Sequence, residues 1–164
     1  MKIVKTNAMR LLEKEGIPYT HHTFAVNPEG TSPEDIAAQI GRPLELIFKT
    51  LVTVGHSKAN YVFCLPILAE LDLKKAAKAA GEKNIELIDQ KDLLKVAGYE
   101  RGGTSPIGMR KLYPTFLEKT GLSLSQIIVS AGKRGHQLEL SPRDLLAVTQ
   151  GTAVDLLAET RSIF

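Results

Sequence analysis

The chain has 164 residues, 43% of them hydrophobic, and a formal net charge of +3. That length buries one core and is too short for two ordinary domains, so a single domain over residues 1–164 is expected. The small positive excess admits an RNA or phosphate-bearing partner and excludes a densely basic tail. One cysteine, Cys64, excludes an internal disulfide framework, and its place in the apolar run Tyr61-Val62-Phe63-Cys64-Leu65 is that of a packed thiol in a reducing compartment. No apolar run is long enough to span a bilayer, and Met1 to Thr6 holds no segment of signal length, so a cytoplasmic protein with no membrane partner is expected.

In chain order, Thr6 caps a short helix bearing Met9, Leu11 and Leu12 on one face, and Gly16 supplies its left-handed stop. Ile17 to Phe24 has strand character, and turn residues follow from Asn27 to Ser32. Ser32, Pro33 and Asp35 form an N-cap, an N1 proline and an acidic first turn for a helix that runs through Ile36, Ala37 and Ile40 to Gly41. Leu44 to Val54 and Tyr61 to Leu65, separated by turn residues, predict a hairpin whose first strand is buried on both faces. Asp72 caps Leu73 to Ala80, with Lys74, Lys75 and Lys78 on a solvated face and Gly81 at the end. Ile85 to Ile88 is a short strand, and Asp89 caps Gln90 to Ala97, which ends at Gly98. Thr115 to Leu117, Ile127 to Ala131 and Gln137 to Leu140 predict strands, with a tight turn over Gly132-Lys133-Arg134-Gly135, and Pro142 to Val148 predicts a closing helix. There is no internal repeat. The irregular alternation predicts an α/β chain of the α+β type: a mixed, partly closed, β-barrel-like sheet with surrounding helices.

Two features invite chemistry. Gly98 to Gly108, Gly-Tyr-Glu-Arg-Gly-Gly-Thr-Ser-Pro-Ile-Gly, is too rich in glycine and proline for a helix or strand interior, and such a loop can turn backbone N–H groups toward an oxyanion or phosphate. A plain surface loop after a helix is the alternative. Lys49 interrupts the apolar strand and by alternation shares a face with Ile47 and Leu51, while Phe48, Thr50 and Val52 take the other. It is either an edge-strand lysine that discourages aggregation or a functional cation that faces an anionic ligand or a carboxylate or works with a lowered pKa.

Other sites are weaker. His21 and His22 point to opposite faces, His56 lies in a turn and His136 beside one, so no histidine pair has metal spacing. The glycine loop follows a helix, unlike the dinucleotide fingerprint and the P-loop, which lie between a strand and a following helix. Metal, nicotinamide and nucleotide-hydrolysis chemistries are rejected, and no cofactor is expected.

The segments Phe48-Lys49-Thr50-Leu51-Val52, Leu71-Asp72-Leu73-Lys74-Lys75-Ala76-Ala77, Gly98 to Gly108, and Val129-Ser130-Ala131-Gly132-Lys133-Arg134-Gly135 resemble, in order over nearly the whole chain, the YbaK/EbsC family of bacterial Cys-tRNA(Pro) deacylases, relatives of the prolyl-tRNA synthetase editing domain. The resemblance implies trans-editing, the hydrolysis of a mischarged aminoacyl ester on tRNA(Pro), with aminoacyl-tRNA as substrate and prolyl-tRNA synthetase as a further partner. It makes Lys49 the residue that holds the phosphate side of the tRNA 3′ end, and Gly102 and Gly103 the backbone facing the scissile carbonyl. It places Phe24, Pro33, Thr50, Ser105, Pro106 and Gln137 around the substrate. No serine, cysteine or histidine is set against a base, and the resemblance implies that the cysteinyl substrate's own thiol attacks the ester. Phe24 stands where the family carries a tyrosine, Pro33 where it carries a phenylalanine and Gln137 where it carries an aspartate. These departures leave alanyl or another small misacylated amino acid as an alternative substrate, and a non-catalytic tRNA-end-binding module as an alternative function.

Overall fold

The computed structural model describes residues 5–159, so the first four residues of the N-terminal segment lie outside the described residues. The order is α1 (Asn7–Lys14), β1 (Thr20–Thr23), α2 (Pro33–Ile40), β2 (Phe48–Gly55), β3 (Asn60–Pro66), α3 (Leu73–Ala80), β4 (Ile85–Leu87), α4 (Gln90–Ala97), β5 (Thr115–Glu118), β6 (Ile127–Ser130), β7 (His136–Leu140), α5 (Pro142–Thr149) and β8 (Thr152–Val154), with 3-10 turns at Leu44–Leu46 and Lys119–Ser123.

The helices start and stop where local chemistry dictates. Thr6, Ser32 and Ser141 each accept the N–H three residues on, Asp72 accepts from Lys74 and Lys75, and Gly41, Gly81 and Gly98 end their helices in the left-handed conformation. Asp89 occupies an N-cap position without a side-chain cap bond. The strand expected from Leu44 begins only at Phe48, because Pro43 leads into a 3-10 turn. Of the lysines expected on a solvated face, Lys75 is instead half-buried, reaching Asp155 at 3.1 Å and donating to the Leu157 carbonyl at 2.7 Å.

The strands form a three-stranded sheet, β1-β7-β6, and a five-stranded sheet, β4-β2-β3-β5-β8. The β2–β3 hairpin is antiparallel, whereas β3–β5 and β5–β8 are parallel. One isolated parallel bridge, Ile47 to Ile128, joins the sheets, so the mixed sheet with outer helices is as expected but it does not close. Phe48, Val62, Cys64 and Leu117 from one sheet meet Ile127, Val129, Leu138 and Leu140 from the other, sealed by Met9, Leu12, Ile107 and Leu145. Two outer clusters complete the packing. Ala76 and Ala77 of α3 cover Phe63, Leu65 and Phe116, while Ile36 of α2 covers Ile47 and Ile128. Among the described residues no helix is long and apolar enough to cross a membrane.

Candidate active site

β2 is an inner strand of its sheet, and Lys49 pairs directly with Leu65 of β3. On the other side β4 pairs only with Thr53 to Gly55 and the bridge to β6 is made at Ile47, so Lys49 stands in the gap between them with no ladder partner there among the described residues. Its ammonium is half-buried and donates to the Ala69 carbonyl at 2.5 Å. Burial pushes its pKa below the usual lysine value, and the nearby Glu70 carboxylate pulls it partly back. Among the described residues Lys49 makes no ion pair, so the cation keeps its charge available.

Two residues beyond the Ile47–Ile128 bridge stand Lys49 on β2 and Ser130 on β6. Ser130 pairs with Gln137 on β7, and Gln137 with His22 on β1. Residues paired directly across antiparallel strands share a face, so Ser130, Gln137 and His22 form a polar row on the side that α2 covers, and Lys49, on the same face as Ile47, lies on that side of the neighbouring sheet. Gln137 is only 7% exposed, and its Oε1 has no hydrogen-bond partner among the described residues. Beside it His22 Nε2 lies 2.7 Å from Glu139, whose carboxylate is forked by Arg42 at 3.0 and 2.8 Å. Phe24 packs into the apolar cluster on this face, and Pro33 opens α2 above it. Thr50 points the other way, toward Cys64, with Oγ1 and Sγ 3.9 Å apart.

The glycine loop is docked on the β6–β7 turn. Tyr99 is its post: the buried hydroxyl donates to the carbonyls of Ile107 and Gly108 at 2.8 and 3.2 Å, and burial pushes its pKa up to about 12. Its ring lies where a Gly132 side chain would be, 2.6 Å from the position of a Cβ. At Gly103 a Cβ would stand 2.9 Å from the Arg134 nitrogen, so the two backbones touch. The Gly103 N–H is taken by the Glu100 carbonyl at 3.0 Å, which also accepts from Thr104 Oγ1 at 3.0 Å. Among the described residues the N–H groups of Tyr99, Glu100, Arg101, Gly102, Thr104, Ser105 and Gly108 make no hydrogen bond; of these, Gly102, Thr104 and Ser105 lie at or just after the glycine pair, and Thr104 and Ser105 are buried. Ser105 Oγ accepts from Ile107 N at 3.2 Å inside the loop. Pro106 lines a cavity of about 200 Å³ with Leu11, Met109, Tyr113 and Val148, behind the loop and apart from Lys49 and the Ser130–Gln137–His22 row.

The candidate site therefore gathers Lys49 and the Ser130–Gln137–His22 row on the α2 side, with the loop docked on the turn that follows Ser130. Sequence reasoning missed Ser130, Tyr99 and a third feature, His21 Nε2 at 2.9 Å from His136 Nδ1 with the rings stacked. Ser130 carried a signal, being the polar residue that ends an apolar strand just before the Gly132 turn. Cys64 is fully buried and its thiol is pushed up to about 12, which removes it as a nucleophile. Among the described residues no three histidine, cysteine, aspartate or glutamate side chains gather to hold a metal ion.

The fold is thus an open pair of sheets with helices outside and a glycine loop docked on the β6–β7 turn. Residues 27–148 match the aminoacyl-tRNA editing domain, and the chain belongs to that family. It is 47% identical over 152 residues, 93% of each chain, to EbsC of Enterococcus faecalis (strain ATCC 700802 / V583), to which Cys-tRNA(Pro)/Cys-tRNA(Cys) deacylase activity is ascribed. It is 24% identical over 132 residues to the proline--tRNA ligase of Cupriavidus necator, covering 79% of this chain and 23% of the ligase. Two solved structures share the fold. One, described as a trans-editing enzyme for prolyl tRNA synthetase, superposes with a TM-score of 0.80 at 23% identity over 96% of this chain and 100% of its own. The other, a hypothetical protein, superposes with a TM-score of 0.83 at 20% identity over 93% and 100%.

Proposed function

We propose that this protein is a single-domain trans-editing hydrolase that releases cysteine from mischarged tRNA(Pro), working beside prolyl-tRNA synthetase. The observation that carries the reading is the 47% identity to EbsC over nearly the whole of both chains. Ester hydrolysis needs a grip on the leaving group, donors for the developing oxyanion and a nucleophile. Lys49 supplies the grip on the phosphate side of the terminal adenosine. The Gly102–Gly103 segment supplies the backbone face, with the free N–H groups of Gly102, Thr104 and Ser105 as donors. The nucleophile comes from the substrate: its thiol attacks its own carbonyl carbon, a C–S bond forms, the C–O bond to the ribose breaks, and the thiol proton ends on the departing 3′ oxygen. Water then opens the cyclic thioester. The buried, unpartnered Oε1 of Gln137 favours a second reading in which the pocket is shaped for alanine or another small amino acid.

Release of amino acid from Cys-tRNA(Pro), Ala-tRNA(Pro) and Pro-tRNA(Pro) separates the readings. Cysteine should be freed fastest and proline not at all, and Lys49→Met should lower kcat/KM by about 100-fold. Alanine released as fast as cysteine would remove the substrate thiol from the mechanism. Release from none of the three by folded protein would leave a tRNA-end-binding module.

A further inference from the structure

We propose that Arg101, Lys133 and Arg134 form a phosphate-binding rim that takes the backbone of the RNA strand leading to the acylated nucleotide; this rests on the deacylase reading and adds the surface by which the substrate is held. All three residues are exposed, and none makes an ion pair among the described residues. Their partners are neutral. Arg134 Nε donates to the Arg101 carbonyl at 2.8 Å. With its amide oxygen turned toward Arg101, Gln90 accepts from that guanidinium at 2.9 and 3.3 Å. Neutral partners orient a guanidinium without cancelling its charge, so Arg101 Nη2 and both Nη groups of Arg134 remain for phosphate and less rotamer freedom is lost on binding.

The glycines build this rim. Gly102 has φ +82°, and a Cβ there would lie 3.3 Å from Arg134 Nε, so its bare backbone seats the arginine stem. Gly103 brings the loop against Lys133 and Arg134 themselves. The two segments that meet here, Tyr99 to Gly103 and Gly132 to Gly135, carry these three cations and one carboxylate, Glu100, and the second segment follows directly on Ser130 at the end of β6. A chain with an excess of only +3 that holds this much of it beside its loop is matched to a polyanion at that place.

The test is binding of unacylated tRNA(Pro) transcript and of a single-stranded RNA ending in CCA, followed by fluorescence anisotropy across a salt series. Each lost contact to a single strand should flatten the slope of log K against log salt by about 0.7. The Arg101→Gln/Lys133→Gln/Arg134→Gln triple variant should therefore lose about 2 in slope and bind about 100-fold more weakly near ~0.1 M salt. The single variants carry the same test, at about 0.7 each, if the triple variant fails to fold. Arg134→Lys, which keeps the charge, should keep the wild-type slope. A triple variant with the wild-type slope would overturn the proposal, as would a loss of RNA affinity that left kcat/KM on Cys-tRNA(Pro) unchanged. Cysteinyl-adenosine, which lacks the strand, separates the two ideas. A wild-type protein that hydrolyses neither ester yet shows the rim-dependent slope retains the rim and loses the deacylase reading.

Discussion

Alanine at Gly103 probes the seam between the glycine loop and the β6–β7 turn. The added Cβ would stand 2.9 Å from the Arg134 nitrogen and 3.1 Å from the Lys133 Cα and carbonyl carbon, where ordinary contact begins at 3.4 Å. All three neighbours are backbone, so the seam must open by about 0.5 Å, an overpacking that costs about 1–3 kcal/mol. For a chain of this size that lowers Tm by about 2–12 °C. The loop's free donors move with the seam, and because a 1 Å misplacement costs about 100-fold in rate, kcat on Cys-tRNA(Pro) should fall by about 10-fold. Gly102→Ala is the comparison. Its nearest neighbour is the flexible Arg134 side chain at 3.3 Å, but its φ of +82° makes alanine costly by about 1–2 kcal/mol, and that penalty should persist when Arg134 is also cut to alanine. Thermal melts and single-turnover deacylation read both effects. A Gly103→Ala protein with wild-type Tm and kcat would refute the docking of loop on turn.

Gln137→Met removes a buried acceptor that has no partner, so it should raise stability by about 1 kcal/mol in denaturant titrations while lowering kcat/KM, the trade expected of a group kept for a ligand; a fall in stability would show that Oε1 is satisfied. Cys64→Ala should keep hydrolysis within about twofold and cost about 1–2 kcal/mol for the vacated core volume; loss of activity in the folded variant would refute catalysis without a protein thiol. Burial, and then the His22 charge, hold His21 below the ordinary histidine pKa; burial, His21 and Lys133 do the same to His136. The unfolded chain therefore binds more protons than the folded one as pH falls through about 6.5, so this contribution is complete at higher pH and is lost on acidification. The double variant His21→Gln/His136→Gln should show a shallower loss of stability between about pH 7.5 and 5.5, and an unchanged slope would show that the pair is not held neutral by the fold.

Legibility in the sequence followed the range of the interaction. Ser32, Asp72, Gly41 and Gly81 act within a turn of themselves, and their helices fell where those residues place them. The lysine's face was readable too, because alternation is a property of one strand. β8 was not: Thr152–Val154 is three residues without a pattern, made a strand only by parallel pairing to β5. Ile17 to Tyr19 read as strand, yet the ladder to β7 begins at Thr20. Ser130 joins Lys49 only through a bridge between residues far apart in the chain, and His21 meets His136 across 115 positions, so no local signal could place either.

The glycines of the loop changed meaning most. A run of glycines reads as backbone laid bare for a ligand, but here several of them are bare for the protein. Gly102 makes room for Arg134, Gly103 for the backbone of the turn, Gly108 for the start of α1 at Asn7 and Ala8, and Gly132 for the Tyr99 ring. Close packing and donor presentation are then linked. The unbonded amides of Gly102, Thr104 and Ser105 sit beside contacts made through missing side chains, and the Gly103 N–H is consumed within the loop by the Glu100 carbonyl. The loop's precision derives from the turn beneath it, so substitutions at Gly132 or Tyr99, which need not touch substrate, should damage turnover as Gly103→Ala does, whereas removal of the lysine should leave the loop and its stability intact.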